Sequence, residues 1–289
     1  MNILKRKVWP VIKWVTDWTC NIILGAVGLF VLWLVAQLFF YATFTIPTQS
    51  MEPTIHPGDR VMVDKTMMGA RLYDVFAAAR GEQVKIYRLP GRRAMERGDI
   101  IAFNFPYAGE WDSIAMHPSL YYLKRCIALP GDTVEIRDCS YYVNGKPSPV
   151  SNKQGEQTLR DFIADYSERD PEYLASHLVM AAFPNRKSIP WTVQNMGPMP
   201  IPCRGMKMEL TPFTAKVYRN YIEWESGMKL STDSCGSVLM DGMPMTEYIF
   251  DEDYVFVAGD RVFNSQDSRY FGLVPMPFVV GKASYLIKK

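Results

Sequence analysis

From Trp18 to Met51 the chain carries no charged side chain, and within that stretch residues 22–44 are almost uninterruptedly apolar. As a helix rising about 1.5 Å per residue, such a run crosses a hydrocarbon core of about 30 Å. A cleaved export signal has an apolar core of only about 7–15 residues followed by small residues at the cut, and no A-x-A pattern follows here. A core helix of a water-soluble domain keeps one polar face, which this run lacks. The pattern therefore predicts a retained transmembrane helix over residues 18–44, with Trp18 and Tyr41 near its ends, where interfacial aromatics concentrate. Lys5, Arg6, Lys7 and Lys13 precede the span, and Glu52 and Asp59 are the first acidic residues after it. The positive-inside bias then leaves residues 1–17 in the cytoplasm and the rest of the chain on the outer face.

Beyond the span the periodicity changes to short alternating runs punctuated by Gly and Pro, the signature of strands and turns. Strands are expected at 60–64 after Pro57-Gly58, at 100–105 between Gly98-Asp99 and Pro106, at 121–129 before Pro130-Gly131, and at 133–136. Residues 141–146 hold Asn144-Gly145, a strong two-residue hairpin signal. Residues 67–79 read as a short amphipathic helix and 90–93 as a solvated basic loop. The middle of the chain is heterogeneous, with one helix near 158–165, Pro-rich loops over 197–203 and strand-like residues at 216–224. Clear strand returns at 254–258 and 279–287, with a polar loop over 259–272 between them. The expected fold is mainly β: an N-terminal transmembrane helix, then a largely antiparallel β core in two parts (45–139 and 251–289) with a cap subdomain, 140–250, inserted between them.

Composition changes this picture little. The 289 residues are 48% hydrophobic and 21% charged, as in an ordinary folded chain, and a net charge of +2 argues against a nucleic-acid partner. None of the five cysteines forms a C-x-x-C pair, so no structural zinc site is expected, and the serine chemistry considered below needs no metal or other cofactor. Cys126, Cys139, Cys203 and Cys235 are open to two readings, disulfides in an exported domain or small buried hydrophobes.

The candidate chemistry begins at Ser50, held between Pro47 and Pro53 where the apolar run ends. A serine hydroxyl needs a base to become a nucleophile. The three histidines, His56, His117 and His177, stand in no recognisable catalytic context, and neither G-x-S-x-G nor H-E-x-x-H occurs. The other base is a neutral lysine. From a reference near 10.4, a pKa of about 7 requires roughly 4 kcal/mol of bias against the ammonium, which burial among apolar neighbours can supply. Lys124, inside an apolar strand, fits that need. A lysine on the outward face of a half-buried strand and a plain turn serine fit the same pattern, so spacing alone leaves both readings open.

Four ordered segments add a resemblance. The runs I-P-T-Q-S-M-E-P-T at 46–54, R-G-D-I-I at 97–101, Y-L-K-R-C-I-A-L-P-G-D at 122–132, and Gly259-Asp260 with N-S-Q-D-S-R-Y-F-G at 264–272 resemble the successive boxes of bacterial type I signal peptidases, the serine/lysine-dyad family. The likeness spans 46–64, 97–137 and 254–283 and leaves the middle third unmatched. It implies Ser50 as nucleophile and Lys124 as general base, with the Thr48 hydroxyl and the Ser50 N–H as the oxyanion hole. It further implies that Ser265 orients the lysine amine, that Asp267 pairs with Arg269 to hold the loop, and that Ile46, Pro47, Tyr122 and Leu123 line the substrate pockets. The last box departs from the usual G-D-N-R-D-N-S, with Arg261-Val262-Phe263 before Asn264, so no polar role is expected at those three positions. The implied partners are exported precursors bearing signal peptides, small at −1 and −3 from the cut, and the lipid bilayer of the bacterial cytoplasmic membrane. Two other functions compete: a catalytically silent, membrane-anchored binding module, and a self-cleaving Ser/Lys regulatory protease.

Overall fold

A computed structural model describes residues 2–176 and 181–287. The chain opens with α1 (Asn2–Phe39), of which the 27 residues Lys13–Phe39 are long and apolar enough to cross a membrane and include no buried residue. Leu24, Leu29 and Leu32 each expose more than 60% of their area. The helix stops at Phe39, short of the expected residue 44, because Tyr41–Thr45 forms strand β1. Two contacts set that end. The Lys65 N–H donates to the Phe40 carbonyl at 2.8 Å. The Lys65 ammonium donates to the carbonyls of Gln37 (2.7 Å) and Leu38 (3.2 Å), satisfying the orphan acceptors of the last turn.

Chain order then runs through β2 (Arg60–Asp64), β3 (Arg71–Leu72), α2 (Val75–Ala79), β4 (Tyr87–Arg88), β5 (Ile100–Asn104), β6 (Tyr121–Ala128), β7 (Thr133–Arg137), β8 (Ser140–Val143) and β9 (Lys146–Pro147). The middle of the chain gives α3 (Lys153–Arg169), α4 (Pro171–Ser176), β10 (Met196–Pro200), β11 (Lys207–Glu209), α5 (Pro212–Ser226), β12 (Leu230–Thr232), β13 (Val238–Met240), β14 (Met243–Pro244) and β15 (Glu247–Ile249). The chain closes with β16 (Tyr254–Ala258), the short α6 (Ser268–Phe271), β17 (Val274–Pro275) and β18 (Val279–Ile287).

Among the described residues the main sheet has seven strands in the order β1-β2-β18-β5-β6-β16-β17, all neighbours antiparallel. Register aligns one row across it: Tyr41, Asp64, Lys282, Ile101 and Lys124. The row begins two residues after α1 ends and finishes on Lys124. A second sheet, β10-β7-β8-β9, packs through the same continuous core. Its hairpin turns on Asn144 and Gly145, both at positive φ (53° and 74°), as a type I′ turn requires.

Several expectations need correcting. Residues 67–79 do not form one helix; only Val75–Ala79 is helical, behind the β3 strand. Part of the Pro-rich 197–203 loop is strand β10, paired with β7. Residues 216–224 belong to α5, not to a strand. Their aromatic and β-branched content suggested a strand, yet Ala215, Val217, Tyr218, Tyr221 and Ile222 all turn inward, a helical spacing. Thr211 and Thr214 form a reciprocal cap at the N-terminus, and Gly227 at φ 70° ends the helix. The helix near 158–165 is longer than expected, Lys153–Arg169 with Asn152 as N-cap. Tyr221 of α5 packs edge-on against Tyr254 of β16, with ring centroids 5.1 Å apart, so the middle region and the final strands share one core. All five cysteines are free, with Cys126 and Cys139 buried and Cys20 and Cys235 exposed.

Candidate active site

The loop after β1 is held from both ends. Ile46 N–H donates to the Asp59 carbonyl (2.9 Å) and Gly58 N–H donates to that of Ile46 (2.8 Å). Ile46, Met51 and Ile55 bury their side chains in a small cluster with Val61, Val63, Ala102 and Val280. Met51, 1% exposed, is the plug that pulls the neighbouring Ser50 against the sheet. The Ser50 carbonyl accepts from the Arg261 N–H at 3.1 Å.

Lys124 lies mid-strand on β6, opposite Ile101, and only 4% of it is exposed. Its Nζ stands 2.6 Å from Ser50 Oγ. Burial lowers the amine from 10.5 to about 8; Asp267 and Asp260 pull the other way, and Arg269 adds to the lowering. At that value roughly one amine in ten is neutral at pH 7. This pair can pass a proton from hydroxyl to amine without movement of either side chain. Thr48 Oγ1 is 3.4 Å from Ser50 Oγ and exposed, on the open side of the serine.

Asp267 and Arg269 form a bidentate pair, Nε to Oδ1 at 2.8 Å and Nη2 to Oδ2 at 2.9 Å. Both side chains are at most 1% exposed, so this is no surface ion pair. Asp267 Oδ2 also accepts from the Gly259 N–H (3.0 Å), and Arg269 donates to the Val262 carbonyl (2.7 Å). Such a closed network pins the chain behind Lys124.

Ser265 departs from its expected geometry. Its Oγ is buried and has no hydrogen-bond partner among the described residues, so it does not hold the lysine amine here. It lies against Gly259, where a Cβ would meet Ser265 Oγ at 2.1 Å and the Ser50 carbonyl oxygen at 2.5 Å.

Arg261 was expected to have no polar role, and the structure corrects this. Besides its N–H bond to Ser50, its guanidinium donates to Glu52 (2.7 Å) and to Gln49, clasping the serine loop from the far side. Asp260 was also missed. It takes a bidentate bond from Arg125 (2.7 and 2.6 Å) and one from the Thr54 hydroxyl, tying the same loop to β6. The sequence signal was present in the adjacency of Arg125 to Lys124 and of Asp260 to Gly259, but adjacency does not say which side chains meet.

Ile46, Pro47, Tyr122 and Leu123 all border a cleft of about 540 Å³ that opens on Ser50 and Lys124. Tyr122 is steadied by its hydroxyl donating to Gln266 Oε1 at 2.6 Å. A larger hollow of about 660 Å³ lies across the 264–266 segment and touches neither Ser50 nor Lys124. His56 sits beside Asp59, 3.9 Å away, and the His117 ring accepts from the Leu120 N–H (3.2 Å). His177 lies outside the described residues.

Comparison with known proteins gives the family. The family model described as signal peptidase, peptidase S26, matches residues 16–287. Signal peptidase I of Aquifex aeolicus is 27% identical over 249 residues, covering 83% of this chain and 73% of its own. Signal peptidase I of Buchnera aphidicola subsp. Baizongia pistaciae is 24% identical over 294 residues, covering 100% of this chain and 83% of its own. A crystal structure of a signal peptidase I from Enterococcus faecalis aligns with 66% of this chain and 98% of its own at 22% identity; its TM-score of 0.29 is too low to compare the folds. With a family match that runs from within the apolar helix to the last strand, this chain belongs to the signal peptidases of peptidase family S26 and is a hydrolase of the serine protease type.

Proposed function

We propose that the chain is a membrane-anchored endopeptidase that removes signal peptides from exported precursors, with Ser50 as nucleophile and Lys124 as general base. The observation that carries this reading is the 2.6 Å contact between a buried, partly neutral amine and the Ser50 hydroxyl. As Ser50 Oγ attacks the scissile carbonyl, Lys124 takes its proton. The resulting oxyanion is stabilised by the Thr48 hydroxyl and the Ser50 N–H, a type of interaction worth about 2.7–4 kcal/mol per donor. The ammonium then gives its proton to the departing amine, leaving an acyl enzyme. In the second half the neutral lysine deprotonates water, which releases the signal peptide. Ser265 acts in this scheme as the acceptor waiting for the ammonium, and Asp267 with Arg269 holds the chain that carries it.

The apolar α1 supports anchoring in the bacterial cytoplasmic membrane, with the N-terminus inside and the β domain on the outer face. A signal peptide presents its cut just beyond an apolar segment, at the bilayer surface. The serine loop follows α1 after a single strand, so enzyme and bond are confined to the same layer. Ile46, Pro47, Tyr122 and Leu123 would accommodate the small residues at −1 and −3, and residues 140–250 are read as the cap inserted in the catalytic core.

The test is cleavage of a precursor bearing an A-x-A site by full-length Ser50→Ala and Lys124→Ala variants. Both are expected to lose cleavage while keeping the wild-type circular dichroism spectrum. Normal turnover by either variant removes that residue from the mechanism.

A further inference from the structure

Val262 and Phe263 follow directly on Arg261, whose N–H holds the Ser50 carbonyl at 3.1 Å. Both pack on α3, a helix of the middle region that the four ordered segments leave unmatched. Val262, 2% exposed, is buried among Cys139, Leu159, Ile163 and Val193, and the Phe263 ring meets Phe162 edge-on with centroids 4.5 Å apart. The first turn of the helix comes closer to the serine loop than this apolar contact does.

Asn152, the N-cap of α3, uses both ends of its amide. Its Oδ1 accepts from the Gly155 N–H (3.2 Å), which is the capping bond. Its Nδ2 donates to the Asp260 carbonyl (2.7 Å), a bond that capping does not require. Gly155 permits the approach: a Cβ there would stand 2.8 Å from Val262 Cγ2 and 3.1 Å from the Asp260 carbonyl oxygen. Glu156, 1% exposed, steadies the same turn by accepting from the Ser151 hydroxyl (2.5 Å) and the Lys153 ammonium (3.1 Å).

The Asp260 carbonyl and the Arg261 N–H belong to one peptide unit. It is trans and planar, so its oxygen and its hydrogen point in opposite directions. Asn152 grips the oxygen end, and the Ser50 carbonyl accepts from the hydrogen end. Arg125 fixes the Asp260 side chain but leaves the following plane free to rotate about its flanking dihedrals. A hydrogen bond at each end stops that rotation, and bonds in such a chain polarise one another.

We infer that Asn152 is a positioning residue for the dyad: by fixing the 260–261 peptide plane it sets where the Ser50 backbone lies and so how far Ser50 Oγ stands from Lys124. The inference rests on the proposed Ser50–Lys124 mechanism. It gives α3 a duty in catalysis, performed through the backbone from a part of the chain that supplies neither member of the pair.

The test measures kcat and KM for cleavage of an A-x-A precursor by the full chain in detergent, together with the melting temperature. Asn152→Ser and Asn152→Asp both keep a good N-cap, but serine is too short to reach the Asp260 carbonyl and aspartate brings no donor to it. Each is expected to lower kcat about tenfold or more, with KM and melting temperature unchanged. Wild-type kcat in both overturns the inference. So does a fall in kcat that only tracks a lower melting temperature, which would make Asn152 a cap and nothing more, or a rise in KM alone. Should these variants fail to fold, Gly155→Ala decides. Alanine is the better helix former, so a turn without further duty would gain melting temperature and keep its kcat, which overturns the inference; a methyl pressed on the Asp260 carbonyl lowers kcat instead. Ser50→Ala is assayed alongside. If it cleaves normally, the dyad fails and this inference falls with it; if it is inactive while Asn152→Ser and Asn152→Asp keep wild-type kcat, the inference alone fails.

Discussion

Gly259 and Ser50 approach so closely that a β-carbon on the glycine would stand 2.5 Å from the Ser50 carbonyl oxygen. The contact joins the start of the polar loop after β16 to the serine loop after β1, and both sides of it are pinned. Gly259 donates to Asp267, and the Ser50 carbonyl accepts from Arg261. Gly259→Ala is therefore expected to displace Ser50 from Lys124 and to lower kcat at least about tenfold, since about 1.4 kcal/mol of transition-state misplacement suffices. Adding Ser265→Ala does not restore activity, because the obstructing atom on the Ser50 side is backbone. Steady-state cleavage by the single and double variants measures this; wild-type turnover by Gly259→Ala would show that the approach has slack.

The unpartnered Ser265 hydroxyl predicts a split effect. A buried polar group without a partner destabilises the resting protein by about 1–3 kcal/mol, so Ser265→Ala raises the unfolding temperature. The same change removes the acceptor proposed for the ammonium, so kcat falls and the rising limb of the pH profile moves to lower pH. A variant with lower kcat and an unmoved limb would reduce Ser265 to a packing role.

Lys124 sets both the pH dependence of the rate and a stability penalty. Because its pKa is lowered to about 8, kcat/KM should climb through that pH as the neutral amine accumulates. For folding, the sign follows from proton counts. Between about pH 8 and 10.5 the unfolded chain binds more protons at this residue, so its contribution makes stability rise with pH across that window. Below it, keeping the amine buried costs on the order of 3 kcal/mol. Lys124→Met is thus expected to be inactive, and at neutral pH to melt no lower than the wild type. Thermal unfolding in detergent at neutral and alkaline pH checks the second statement; a clearly lower melting temperature for the variant at neutral pH contradicts it.

The Asp267–Arg269 pair responds asymmetrically to its two partners. Asp267→Asn leaves a guanidinium buried without its counter-charge and should cost about 3–5 kcal/mol. It would also weaken the bond from Gly259 N–H, so activity falls with stability. Arg269→Met in an Asp267→Leu background removes both charges and recovers much of the stability, though not the loop geometry. Denaturant unfolding of Asp267→Leu, Arg269→Met and their double variant gives the coupling energy, and additive losses would deny the pair its network role.

Much of the molecule was legible from one dimension. Local patterns sufficed for the long apolar helix, the strands at 60–64, 100–104 and 254–258, and the Asn144-Gly145 hairpin, because each depends on periodicity or on a turn that only certain residues adopt. They failed at α5, whose aromatic residues suit strand or helix until one face is buried, and at Tyr41–Thr45, where pairing with β2 overrides an apolar run that a helix could have continued.

The site divides along the same line. Ser50 and Lys124 could be named from sequence because ordered boxes carry them, and the chemistry of a serine without a histidine calls for a lysine. Their 2.6 Å contact, the clasp of Arg261 on the serine loop, the bond from Arg125 to Asp260 and the solitary Ser265 hydroxyl belong to the tertiary structure alone. The physical reason is that an amine's proton affinity depends on how many water molecules its neighbours exclude. Those neighbours come from strands far apart in the chain, so only the folded arrangement decides whether this lysine is a charge or a base.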